Sequence, residues 1–197
     1  MMSKVIDYSE RFFLALLITP FFMAFAQIAT VQPYVVLLAI SETLAVILIL
    51  IRRPGEMPAS AYATAIAFIG TGAPLLVRPD GVAYAPAILT SAMMLAGLVV
   101  NISAKLALNR SFGLVAANRG IKLGGPYRFV RHPMYLGYII TQAGFLLAEF
   151  TMMNAAIYAV AWSCQVLRIR QEEALLRNDP AYRELMERVP RKLIPGF

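Results

Sequence analysis

Between residues 124 and 137 the chain reads Gly-Gly-Pro-Tyr-Arg-Phe-Val-Arg-His-Pro-Met-Tyr-Leu-Gly, a run dense in groups that bind rather than pack. Gly124 and Gly125 let the backbone come close to a ligand. Arg128, Arg131 and the chain's one histidine, His132, stand beside Tyr127 and Tyr135. Pro133 sits where a helix would start. The free N–H groups of that first turn would then face whatever lies in front of them and favour a carboxylate or a phosphate. On composition alone the segment also reads as a basic cytoplasmic loop with tyrosines at headgroup level. Further on, Arg168 and Glu172 are four residues apart and share one face of a helix. On a solvated helix they would be an ordinary ion pair of little worth.

The elements that position these groups are apolar. Of 197 residues, 59% are hydrophobic and only 15% are charged, and the mean hydropathy is +0.66. Soluble chains are about half apolar and about a quarter charged. The surplus must face something other than water, and lipid is the economical answer. Charge-free or nearly charge-free stretches run Phe12 to Val31, Tyr34 to Ile51 (with Glu42), Ala59 to Val77 and Val82 to Ala104. Each approaches the ~20 residues that cross a bilayer. Pro133 to Leu167 carries only Glu149. As one helix it would be about 52 Å long, too long for one crossing, so a helical hairpin turning near Glu149 to Asn154 is expected.

The predicted fold is an all-α polytopic membrane bundle of about six transmembrane helices, the last two a short paired hairpin, followed by a cytoplasmic helical segment. With an even number of spans and both termini in the cytoplasm, only Arg78 of the 18 basic residues falls outside. That is a strong positive-inside bias. The same topology accounts for the net charge of +7, so nucleic acid is not an expected partner; the bilayer is. A cleaved signal peptide is not expected, because the first apolar run leads directly into a second. Arg168 to Asn178 reads as a helix emerging from the membrane. Asp179-Pro180 is a helix start, Ala181 to Arg188 a short amphipathic helix and Val189-Pro190 its end. The chain divides into N-terminal membrane helices, residues 1–104, and a core, residues 105–197.

Gly125-Pro126-Tyr127-Arg128-x-x-Arg131-His132-Pro133-x-Tyr135-x-Gly137 resembles the signature of the isoprenylcysteine carboxyl methyltransferase family, much of which the phospholipid N-methyltransferases share. A second block fits in order and spacing: Arg168-x-x-x-Glu172-Glu173-x-x-Leu176, then Tyr182, Val189-Pro190-Arg191 and Ile194-Pro195. The resemblance runs from about Leu106 to Pro195. It implies S-adenosylmethionine as cofactor and a lipid-like or small methyl acceptor. By the same resemblance Lys122, Leu123, Gly125, Tyr127, His132, Pro133, Met134, Tyr135 and Glu172 are cofactor-binding residues. Arg168 is the substrate-binding residue, and Arg168 and Glu172 carry catalysis. No metal is implied.

The hairpin would return the inner end of its second helix to His132, at the start of its first. The expected pocket has two helical walls, a basic loop as lid and an opening toward lipid. A carboxylate acceptor is already a nucleophile, so orientation and desolvation would dominate, with Arg168 as a bidentate clamp. An amine or thiol acceptor must lose a proton, and His132 or Glu172 would be the base. Two other readings stand beside this one. Sterol reductases carry a similar Arg-His-x-x-Tyr-x-Gly segment, which makes an NADPH-dependent reductase an alternative. A non-catalytic membrane scaffold or small transporter is the other.

Elsewhere, Glu42 is either a functional intramembrane acid or one partner in a hydrogen bond between helices, with Ser41 and Thr43 beside it. Asn101 reads as helix–helix glue, and Gly70-x-Gly72 as a close helix contact. The pairs Met93-Met94 and Met152-Met153 read as packing, and the single Cys164 as a buried small residue.

Overall fold

The computed structural model describes residues 33–53, 55 and 60–194, with the isolated positions 8, 9 and 12. Apart from Phe12, the expected first span lies outside the described residues. Among the described residues there are six α-helices and no strand: α1 Pro33–Ile51, α2 Ala61–Gly72, α3 Ala87–Leu108, α4 Pro133–Ala148, α5 Met152–Leu176 and α6 Pro180–Arg188. Short 3-10 turns extend α2 (Ala73–Leu76) and α3 (Asn109–Ser111), and another, Gly125–Arg128, precedes α4. Among the described residues one helix, α3 with its extension to Ser111, is long and apolar enough to cross a membrane.

Local signals explain the boundaries. Ser60 caps α2 by accepting from the Ala63 N–H, and Thr151 caps α5 by accepting from the Asn154 N–H. Asp179 caps α6, whose first residue is Pro180. Asn109, the one described non-glycine residue at positive φ, ends α3. The hairpin turns at residues 149–151, where Glu149 accepts from the Gly81 N–H and Phe150 pairs with Val82.

The hairpin differs from the expectation in two respects. Its second arm is not short: α5 runs unbroken for 25 residues, carrying Arg168, Glu172 and Glu173 on the same rod as Asn154. Nor do the arms pack chiefly on each other. α4 lies along α3, and α5 lies against α2. Glycines explain the pairing. A methyl group on Gly97 would stand 2.3 Å from Thr141 Oγ1, and one on Gly137 would stand 2.7 Å from the Asn101 nitrogen. α3 and α4 therefore meet backbone to backbone. Gly70 does the same for α2, where an added Cβ would come within 2.9 Å of Cys164 Cβ. The arms of the hairpin remain linked by Trp162 Nε1 donating to Gln142 Oε1 at 2.8 Å and by the edge-on contact of Phe145 with Tyr158.

A buried polar cluster joins α1, α3 and α4. Asn101 Nδ2 donates to the Met134 carbonyl, Ser41 Oγ donates to Asn101 Oδ1, and Lys105 Nζ donates to both Ser41 oxygens. Glu42 lies 3.6 Å from the same ammonium. Asn101 is thus the glue expected of it, and Glu42 is an ion-pair partner between α1 and α3. Met94 is buried between helices, whereas Met152 and Met153 are exposed at the start of α5, so only the first methionine pair supplies packing.

Candidate active site

The C-terminal ends of α3 and α5 and the start of α4 enclose an open-mouthed cleft of about 100 Å³. Its walls come from the 111–122 segment, from Tyr127 in the 3-10 turn, from the start of α4, from the last turns of α5 and from α6. The left-handed turn at Gly125, φ 60°, delivers Tyr127 into the wall. Gly113 makes room for Arg119: a Cβ there would stand 2.4 Å from a guanidinium nitrogen.

Glu172 faces this cleft. The Tyr135 hydroxyl donates to its Oε1 in a short hydrogen bond, and its Oε2 lies 3.7 Å from His132 Nδ1. Behind Tyr135, the Arg168 guanidinium covers the ring face at 5.2 Å and donates to the Leu114 carbonyl at 2.8 Å. Burial first, and then the Glu172 carboxylate, push the Tyr127 phenol well above its ordinary range, so Tyr127 stays neutral.

The adjacent acid, Glu173, is buried and points elsewhere. Its Oε1 accepts from Arg131 Nε at 3.0 Å, from Arg131 Nη2 at 2.8 Å and from His132 Nε2 at 3.2 Å. Its Oε2 lies 3.2 Å from Lys192 Nζ. Burial alone would raise its pKa, but the hydrogen bonds from His132, Arg131 and Lys192 outweigh burial and hold it far below the usual carboxylate range. An ionised carboxylate can only accept, so His132 Nε2 donates to Glu173, and Nδ1 is turned toward Glu172.

Arg131 also donates through Nη1 to the carbonyls of Val189 and Pro190, each at 2.8 Å. The backbone N–H groups of Arg131 and His132 donate to the carbonyls of Arg191 and Lys192. The segment after α6 is therefore stitched to the Arg-His-Pro turn. On the far wall Asn118 donates to Asp179 at 2.8 Å, which ties the 111–122 segment to the start of α6. That bond leads the interactions that lower the Asp179 pKa.

Of the residues proposed from sequence, Lys122, Tyr127, His132, Met134, Tyr135 and Glu172 line the cleft. Leu123 is exposed beside it, Gly125 shapes the turn and Pro133 is buried as the first residue of α4. Arg168 stands behind Tyr135 and is not part of the lining. Sequence reading missed Glu173 as the partner of Arg131 and His132, and missed Arg119 and the rest of the 111–121 wall. The doubled acid in Glu172-Glu173 was the available signal for the first. The second carries no motif.

Fold and cleft together define a helical bundle with a cleft at one end, built from two sequence blocks that meet. Residues 82–178, just under half the chain, match the model of the isoprenylcysteine carboxyl methyltransferase (ICMT) family, and over this segment the chain is similar to that family. It is a family of membrane-associated methyltransferases that use S-adenosylmethionine. The match begins near the start of α3 and includes both the Arg-His-Pro turn and the Glu-Glu pair. Neither the curated proteins nor the solved structures give a match.

Proposed function

We propose that this chain is a multi-pass membrane methyltransferase that transfers a methyl group from S-adenosylmethionine to a lipid-like or small acceptor at the cytoplasmic face. The observation that carries the proposal is the meeting of Glu172 and Tyr135 in a cleft shared with Lys122, Tyr127 and His132. Exposed Ile40, Ile47 and Leu50 on α1, Ile88 and Val99 on α3 and Val160 on α5 favour helices that face lipid.

The lining suits the proposed donor. Glu172 offers a carboxylate to a cationic centre, and Tyr127 and Tyr135 offer aromatic surface to the same charge. Lys122 and Arg119 offer cations to a carboxylate at the other end of the molecule. When bound, S-adenosylmethionine supplies an electrophilic methyl on a sulfonium. The protein's own contribution is orientation and exclusion of water. For a carboxylate acceptor no proton moves. For an amine or thiol, His132, whose Nε2 is held by Glu173, or Glu172 would take the proton.

The test is incubation of the purified, lipid-reconstituted protein with isotopically labelled S-adenosylmethionine and a total lipid extract. A labelled lipid or small product supports the proposal. Failure to label any acceptor, with a thermal shift on NADPH but none on S-adenosylhomocysteine, overturns it in favour of a reductase.

A further inference from the structure

The buried cluster between α1, α3 and α4 is a directed chain of hydrogen bonds that ends at the cleft. Lys105 Nζ donates to Ser41 Oγ at 2.9 Å, Ser41 Oγ donates to Asn101 Oδ1 at 3.0 Å, and Asn101 Nδ2 donates to the Met134 carbonyl at 3.0 Å. All three side chains are buried. The directions are forced. An ammonium can only donate and a backbone carbonyl can only accept, so the Ser41 proton goes to Asn101 and the Asn101 amide turns its NH2 toward α4. Met134 lies in the first turn of α4 and lines the cleft with His132 and Tyr135. Lys105 meets the same helix one turn further on, 5.5 Å over the ring of Tyr138. Adhesion alone does not call for this arrangement, since well-packed apolar side chains often replace buried ions at no loss of stability. Bonds of fixed direction add a single rotational setting of one helix against another.

We infer that Ser41 is a positioning residue for the cleft. It acts through the Asn101 amide on the Met134 carbonyl, and so sets the α4 turn that presents His132, Met134 and Tyr135. Ser41 lies on α1, outside residues 82–178, so the site draws support from a helix to which neither sequence block assigns a role. The inference stands on the hydrogen bonds, and only the ligand arm of its test rests on reading the cleft as the S-adenosylmethionine site.

His132 is the chain's one histidine. Tag-free, full-length protein carrying ¹⁵N only at histidine therefore reports on the cleft through a single pair of ring-nitrogen signals. The experiment compares the parent, Ser41→Ala and Gln142→Leu by these signals without ligand, by thermal melting and by calorimetric titration with S-adenosylhomocysteine. Gln142→Leu removes the bond from Trp162, well along α4 from the cleft, and serves as a variant weakened elsewhere on the same helix. Ser41→Ala should shift the ring signals and weaken binding about three- to tenfold, the range for one hydrogen bond inside a protein. Gln142→Leu should lower Tm yet leave the signals and the affinity as in the parent. Unmoved ring signals in Ser41→Ala with affinity within twofold of the parent overturn the inference, whatever the Tm. So do equal changes in Gln142→Leu, which would make the effect one of stability. No binding to the parent sinks the cofactor reading, while the ring signals still decide the role of Ser41. Should Ser41→Ala not fold, Ser41→Cys, which keeps the volume and weakens the bonds, is read in the same way.

Discussion

Glu172 and Glu173 are neighbours in the chain whose carboxylates serve different partners: the first accepts from Tyr135 in the cleft, the second from Arg131 and His132 beneath it. Successive residues on a helix are about 100° apart, so one turn of α5 supplies both a cleft-facing charge and the group that fixes the loop opposite. The two acids should therefore fail differently when neutralised.

Glu172→Gln should leave folding nearly intact and lower methyl transfer by about a hundredfold, on the scale of removing one electrostatic group from a closed site. Tyr135→Phe, which leaves the carboxylate in place, should have a smaller effect. Labelled-cofactor turnover and Tm, measured on the same preparations, check both. An undiminished rate in Glu172→Gln would remove that carboxylate from the chemistry.

Glu173→Gln should act on stability. It leaves Arg131, with only 5% of its surface exposed, without its counter-charge. The expected loss is about 3 kcal/mol, the lower end for breaking a buried pair. Denaturant or thermal unfolding reads it. A Tm within a degree or two of the parent would contradict the geometry.

The same carboxylate sets an acid dependence. Its folded-state pKa lies below its unfolded value. The stabilisation is therefore full above the ordinary carboxylate range and is lost as pH falls toward the folded pKa. Stability from this source should be flat between neutrality and about pH 5 and should decline below that. Glu173→Gln should flatten that decline. Melting curves at stepped pH for both proteins make the comparison.

Gly137→Ala should destabilise the bundle by about 1–3 kcal/mol, the cost of overpacking, because the added methyl meets backbone of α3 rather than a mobile side chain. Gly124→Ala, where nothing lies within 4 Å, should be neutral. Paired thermal melts would show whether the crossing is as close as described.

Much of this was readable beforehand. The Pro133 start, the Asp179 cap, the turn after Glu149 and the approach of Glu172 to His132 all follow from short-range rules and one resemblance. The partner of each helix was not readable. Apolar stripes on α2, α3, α4 and α5 are chemically alike, and only the fit of Gly97 to Thr141 or of Gly70 to Cys164 selects neighbours. Arg168 shows the same limit. Its type and its spacing from Glu172 suggested a shared face toward the ligand, yet its longer side chain turns beneath Tyr135 to reach the Leu114 carbonyl.

The stitching of residues 189–192 to Arg131 and His132 gives the molecule an order of assembly. While the chain is still being synthesised, the Arg-His-Pro turn has neither its counter-charge nor its carbonyl partners, and no binding surface exists. The turn acquires its carbonyl partners only once residues 189–192 have folded back onto it. A version truncated after Arg188 should remain helical yet leave the Arg-His-Pro turn without those partners, so the shape of the cleft depends on a segment more than fifty residues further along the chain.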